Sequence, residues 1–140
     1  MFSQTVEYAL RATVHLAENT GAPQKTSDIA ISTKVPAAYL SKILQGLHKQ
    51  KIVHLQRGVG GGVSLAIPPE KLTILDIVNA VEPIGRINSC PLELQSHRNV
   101  LCSLHQKLDD SMRRTEQELG STTLLDLLKE SHPIRGLCGS

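Results

Sequence analysis

Residues 57–62 read RGVGGG: four glycines in six positions, with Arg57 the one long side chain. Such a segment has almost nothing to pack, so its role is set by its flanks. On one side stands KIVHLQ (51–56) and on the other VSLAIP (63–68), both rich in Val, Ile and Leu. A glycine-rich tip between two strand-like runs reads as a β-hairpin. A phosphate-cradling loop instead follows a strand and opens a helix, with a Lys-Ser/Thr pair behind it. Here the loop opens a second strand, and no Lys-Ser/Thr pair follows it. A small enzyme that binds a phosphate on residues 57–62 therefore stands only as an alternative of a different class. His54 is the one nearby acid–base group, and a lone histidine on a strand is usually a surface residue.

The hairpin follows three helical patterns. Residues 3–18 carry Val6, Ala9, Leu10, Thr13, Val14 and Ala17 at three- and four-residue spacing, and Gly21 and Pro23 end the run. Residues 27–33 make a short helix with Thr26 or Ser27 as its cap. Pro36 suits the first position of the next helix, and the residue before it, Val35, is pushed out of the α region. In that helix Leu40, Ile43, Leu44 and Leu47 form one apolar stripe. The opposite face holds Ala37, Ala38, Ser41, Lys42, Gln45 and Lys49. A short helix, a turn and a longer helix with a small, polar, basic outer face suggest a helix-turn-helix. A hairpin directly behind such a unit is a wing. Its glycines let the backbone approach a groove closely, and Arg57 can enter a minor groove or reach a guanine edge.

Charge agrees with this placement. The net charge is only +2, yet no acidic residue stands between Asp28 and Glu70, an interval that holds Lys34, Lys42, Lys49, Lys51 and Arg57. Residues 1–70 carry 7 basic against 4 acidic side chains, and residues 71–140 carry 8 against 9. A local basic patch on a nearly neutral chain is the footprint of a polyanion-facing surface, although ordinary solvated lysines give the same count. The candidate DNA contacts are Thr26, Ser27, Pro36, Ala37, Ala38, Tyr39, Ser41, Lys42, Gln45, Arg57, Gly58, Gly60 and Gly61.

Beyond the hairpin, Pro68-Pro69 leads into a fourth helix. Thr73 and Asp76 make a capping-box-like start, Ile74, Ile77, Val78 and Val81 face inward, and Glu82-Pro83 closes it. Residues 84–97 read as loop. Residues 98–119 read as one helix, with Leu101, Leu104, Leu108, Met112, Thr115 and Leu119 as a narrow stripe and Gly120 as its stop. At about 33 Å by its rise per residue, such a helix is long for a chain of 140 residues, which favours a dimer seam over packing on its own domain. STTLLDLLKE gives a last short helix, and the tail from 131 to 140 reads as disordered. No internal repeat or low-complexity segment stands out. With two Tyr, one Phe and no Trp, the core must be Leu, Ile, Val and Ala, which favours helices over a β-sandwich. The expected organisation is a DNA-binding domain over 1–83, a sensor loop over 84–97, dimerisation helices over 98–130 and a flexible tail over 131–140. The fold class is mainly α with a small β-hairpin.

No apolar run approaches the roughly 18 residues that span a membrane, and the N-terminus lacks a signal-peptide pattern. A cytoplasmic location is expected. The three cysteines are Cys90, Cys102 and Cys138; an odd count in a reducing compartment argues against a disulfide framework. Cys138, in the tail, reads as a free thiol. CPLELQSHRNVLCSLH puts Cys90, His97, Cys102 and His105 within sixteen residues. Thiolate and imidazole are the ligands that zinc and iron–sulfur clusters use. The spacing is not that of a zinc finger, and two buried cysteines beside two surface histidines would look the same.

EYALRATVHLA, YLSKILQGLHKQKIVHLQRGVGGGVSLA and ILDIVNAVE together resemble the bacterial winged-helix regulators that include the iron–sulfur-cluster assembly regulator, the nitric-oxide-sensing repressor and the cysteine-metabolism repressor (the Rrf-two family). The resemblance covers about residues 1–130. It implies a winged helix with a long dimerisation helix, and a homodimeric transcriptional regulator, a repressor, on double-stranded palindromic DNA. It also implies a 2Fe-2S cluster held by three cysteines at the start of the long helix. The outer two match Cys90 and Cys102; the middle one is absent, with Ser96 or His97 in its place. His105 matches a ligand of the assembly regulator and Glu7 an acidic ligand of the nitric-oxide sensor, which reaches the cluster across the dimer. A redox-sensing relative uses a Glu and a His on the first helix; Glu7 matches the Glu, and Arg11 stands where the His would be. The ligand set the resemblance implies is Cys90, Cys102 and His105 with Glu7 or His97. Glu7 and Arg11, four apart, also fit a plain surface ion pair. The alternative within the class is a cofactor-free regulator controlled by a partner protein or by thiol oxidation.

Overall fold

The computed structural model describes residues 2–95 and 100–130. Helix α1 (Gln4–Glu18) starts where the Ser3 hydroxyl accepts the Val6 N–H. It buries Val6, Ala9, Ala12, Thr13 and Leu16. Thr13 is tolerated there because its hydroxyl donates back to the Ala9 carbonyl at 3.0 Å, which leaves no polar atom unsatisfied.

Helices α2 (Thr26–Thr33) and α3 (Ala37–Lys49) form the helix-turn-helix. The turn between them puts Lys34 in the left-handed region at φ 58°. Two expected details are corrected. Neither Thr26 nor Ser27 caps α2: Lys25 is the cap residue and no side chain caps the helix. The segment before it is held extended, because Gln24 pairs with the sheet, so the chain enters the helix one residue early. Pro36 is the cap of α3 and not its first residue, since its ψ of 132° is extended. Its carbonyl still accepts the Leu40 N–H at 2.9 Å. Leu40, Ile43, Leu44 and Leu47 are all buried, as their spacing requires.

Strands β1 (Val53–Gln56) and β2 (Gly62–Leu65) pair antiparallel, with Val53 opposite Leu65 and Gln56 opposite Gly62. They are shorter than the apolar runs that suggest them. Lys51 sits at φ 62°, in the turn that leaves α3, and cannot extend the first strand. The other side of β2 is covered by Gln24, which exchanges backbone hydrogen bonds with Val63 at 2.9 and 2.7 Å.

Helix α4 (Ile74–Val81) begins with the expected capping box between Thr73 and Asp76. Helix α5 (Ser103–Gly120) starts later than 98. Val100 and Leu101 continue the apolar spacing but are not helical, because Cys102 is the extended cap at ψ 164°. The helix is therefore about 27 Å long by its rise per residue. Gly120 is its last residue and does not stop it; the cap is Ser121. A Cβ at Gly120 would stand 3.2 Å from the Leu75 side chain, so this position sets how closely α5 approaches α4.

Helix α6 (Leu124–Glu130) returns to the body of the molecule. Thr123 and Asp126 exchange the same pair of hydrogen bonds as Thr73 and Asp76. The two caps lie side by side: Thr73 pairs with Thr123, the Ile74 N–H meets the Thr122 carbonyl, and the Leu124 N–H meets that of Leu72. One apolar core results, drawn from α1, α2, α3, both strands, α4 and Leu124. No described helix is long and apolar enough to cross a membrane. The segments 96–99 and 131–140, with His97 and Cys138, lie outside the described residues.

Candidate nucleic-acid interface

Burial of the Leu40–Leu47 stripe turns the other face of α3 outward. Pro36, Ala37, Ala38, Tyr39, Ser41, Lys42 and Gln45 are all exposed, and so are Lys34 and Lys49. Ser27 is exposed and Thr26 half-buried on α2. Small side chains at the start of α3 let its backbone come close to a flat or grooved partner, while Lys42 and Gln45 supply a charge and an amide.

The hairpin tip is built for close approach as well. Gly58 and Gly60 adopt φ of 92° and 78°, a region that other residues rarely occupy, and the Gly61 N–H closes the turn on the Gly58 carbonyl at 3.0 Å. A Cβ on Gly61 would overlap the Gln56 carbonyl. The tip is consequently thin, with Arg57 and Val59 exposed. Gly62 opens β2 and not a helix, so the loop lacks the context of a nucleotide-binding turn.

A network that no sequence pattern announces supports the surface from behind. Tyr39 leaves α3 against the Tyr8 ring, with centroids 6.2 Å apart. Arg11 lies over Tyr8 at 5.6 Å, donates to the Thr33 carbonyl at 3.4 Å and pairs with Glu7 at 3.0 Å. The four-residue spacing of Glu7 and Arg11 announces their ion pair; nothing local announces its link to the helix-turn-helix.

The implied ligands come together only in part. Cys102, at the cap of α5, has its Sγ 3.2 Å from His105 Nδ1, one turn along. Cys90 is buried, at 5 % exposure, and neither cysteine is in a disulfide. The Glu7 carboxylate is engaged by Arg11. Among the described residues no three His, Cys, Asp or Glu side chains assemble a site able to hold a metal ion. Within one chain the described residues thus do not fit a four-ligand cluster, and no chemistry is derived through one. Cys90 also lies in the loop nine residues beyond the last residue of α4, and not at the end of that helix.

Sequence reasoning misses Arg86 altogether. Its guanidinium grips Asp109 of α5 with two bonds of 2.7 Å and reaches Glu116 at 3.5 Å. The Ile87 N–H donates to the same carboxylate at 2.9 Å. These contacts, Arg86 first and Ile87 next, draw the Asp109 carboxyl down to about 2, and the carboxylates raise Arg86 in turn.

Comparison with known proteins agrees with the fold. Residues 2–130 match the family model Rrf2, described as iron-dependent transcriptional regulators. A protein of Aquifex aeolicus (strain VF5), described as an HTH-type transcriptional regulator, is 32% identical over 137 residues, covering 94% of this chain and 95% of its own. Among solved structures, the global cysteine regulator CymR of B. subtilis superposes with a TM-score of 0.77 at 25% identity, covering 94% of this chain and 98% of CymR. IscR of T. potens superposes at 0.79 and 23% identity over 98% of this chain and 92% of its own, a likeness of fold.

Proposed function

The chain belongs to the Rrf2 family of transcriptional regulators, and on that premise we propose that it is a homodimeric repressor of palindromic DNA, each protomer laying α3 in a major groove and its glycine-tipped wing beside it. It is a DNA-binding regulator and not an enzyme, as its relatives are. The observation that carries the detailed reading is the outward face of α3. Ala37, Ala38, Ser41, Lys42 and Gln45 are exposed beside a wing whose tip has φ-positive glycines, in a stretch free of acidic residues. Helix α5 supplies the dimer seam in this reading. Leu104 and Leu108 are 63% and 45% exposed on it, and Asp109 is its one buried residue. An apolar ridge of that kind on a single chain marks an association surface. Repression is what the resemblance to the family's repressors implies.

The test is DNA affinity as a function of salt. Binding falls steeply with salt; K42A weakens it on all sequences and lowers the salt slope by about one, and R57A relaxes sequence preference. Full affinity in both variants would remove these residues from the interface.

A second reading concerns the input. The 3.2 Å contact of Cys102 with His105 supports redox control through that thiol at the start of α5. An iron–sulfur input needs further ligands, from Cys90, Glu7 or His97, to join the pair; control by a partner protein needs none. Protein purified without oxygen separates these. Visible absorption with iron and sulfide supports a cluster. Colourless protein whose DNA affinity responds to peroxide, and no longer does in C102S, supports the thiol. Colourless protein without that response leaves the partner protein.

A further inference from the structure

Helix α5 is joined to the winged-helix body in an unusual way. Its one buried residue is a carboxylate, Asp109, at 7% exposure. The apolar contact beside it is open: a groove of about 410 Å³ runs between Val78, Pro83 and Ile84 on the body side and Leu108 and Met112 on the helix. Loose apolar packing is non-directional and tolerates a range of angles. A bidentate guanidinium–carboxylate pair does not, because both of its bonds hold only when the two planes align.

Arg86 makes that pair from the segment following α4. Its third contact, Glu116, lies seven residues beyond Asp109 and so on the same side of α5, two turns on. The Ile87 N–H fixes the same carboxylate from the main chain. Arg86 therefore holds α5 along its axis and against rotation, where apolar packing holds it least. The far end of α5 is secured separately, by the Thr73–Thr123 pairing.

We infer that Arg86 is a positioning residue: its fork on Asp109 sets the angle between α5 and the winged-helix body, and through it the separation of the two recognition helices on DNA. This rests on the dimeric DNA-binding reading above. Half-sites one helical turn apart lie about 34–36 Å from centre to centre, or about 3.4 Å per base pair. A small tilt at the joint, carried out to α3, changes the preferred spacing by a base pair.

Full-length wild-type protein and D109N are each used to enrich binding sequences from random double-stranded DNA. Wild type enriches two inverted half-sites at one dominant spacing. D109N enriches the same half-sites, and its preference for that spacing over one base pair more or less falls by about tenfold, a change of about 1.4 kcal/mol. R86K, which keeps the charge but not the fork, broadens the spacing as well and carries the test should D109N fail to fold. An unchanged spacing in both D109N and R86K overturns the inference. So does loss of the half-site itself in a folded variant, because the pair would then act on the recognition surface. A single unrepeated half-site with wild type defeats the dimeric reading, and no enrichment at all defeats the DNA-surface reading beneath both.

Discussion

The winged-helix body and helix α5 differ in make-up and are held in opposite ways: α3 and α4 are rich in Leu, Ile, Val and Ala, while α5 carries four large apolar residues among eighteen. In the body, α3 alone buries Leu40, Ile43, Leu44 and Leu47, and every neighbouring element adds side chains to one core. Along α5, eighteen residues bury one side chain, and it is charged. The body is stabilised by apolar area removed from water; α5 is aligned by directional polar contacts and leaves Leu104 and Leu108 outside. The two exposed leucines are the part of α5 that the proposed dimer seam covers.

This contrast can be broken by substitution. The largest effect belongs to the body: L44A, at 2% exposure, costs about 2–5 kcal/mol in denaturant unfolding through the cavity it leaves. A loss near zero would mean that the core is not what stabilises the chain. Next comes the seam. L104D, at a position 63% exposed and outside the groove against the body, leaves the stability of the single chain nearly unchanged and raises the dimer dissociation constant about thirtyfold or more, the size of an interface hot spot of about 2 kcal/mol. Sedimentation reads this directly, and an unaltered dimer would place the seam elsewhere.

The smallest effect is in acid and sharpens the comparison from the polar side. Asp109 sits at about 2 in the fold against about 4 in an unfolded chain. The folded state binds the proton less readily, so the stabilisation is fully present above the unfolded value and is lost as the pH falls from about 4 towards 2. Asp126, held low by the Thr123 N–H, contributes in the same direction. Thermal unfolding of D109N should be less sensitive to pH across that window, and an unchanged acid dependence would deny the clamp its role in stability.

The same contrast explains which parts of the molecule are legible in its amino-acid sequence. The body is legible because apolar residues recur at the period of their element: α1, α3 and α4 lie where their stripes fall, and Thr73 and Asp76 cap where their spacing says. The hairpin is legible from its glycines. The start of α5 is not, because Leu101 keeps the period while Cys102 has left the helix, and periodicity records side chains and not backbone angles. Gln24 pairs through its backbone with Val63 across thirty-nine residues, and Arg86 meets Asp109 across twenty-three; neither an isolated backbone bridge nor a lone polar side chain carries a period that could announce it. Of the candidate site, the exposure of the α3 face follows from its amphipathic pattern. The ligand set rests on resemblance, and of its described members only Cys102 and His105 meet.

The two matching caps have a topological consequence. Thr73 and Thr123 fasten the chain to itself, so α4, the connecting segment and α5 form one closed stretch of chain that comes back to its point of departure. Its ends stay in register whatever lies between them. Beyond Arg86 and Ile87, which hold Asp109, the connecting segment can change its length and chemistry without disturbing either fastening, which makes it the part of the molecule most open to acquiring a new input.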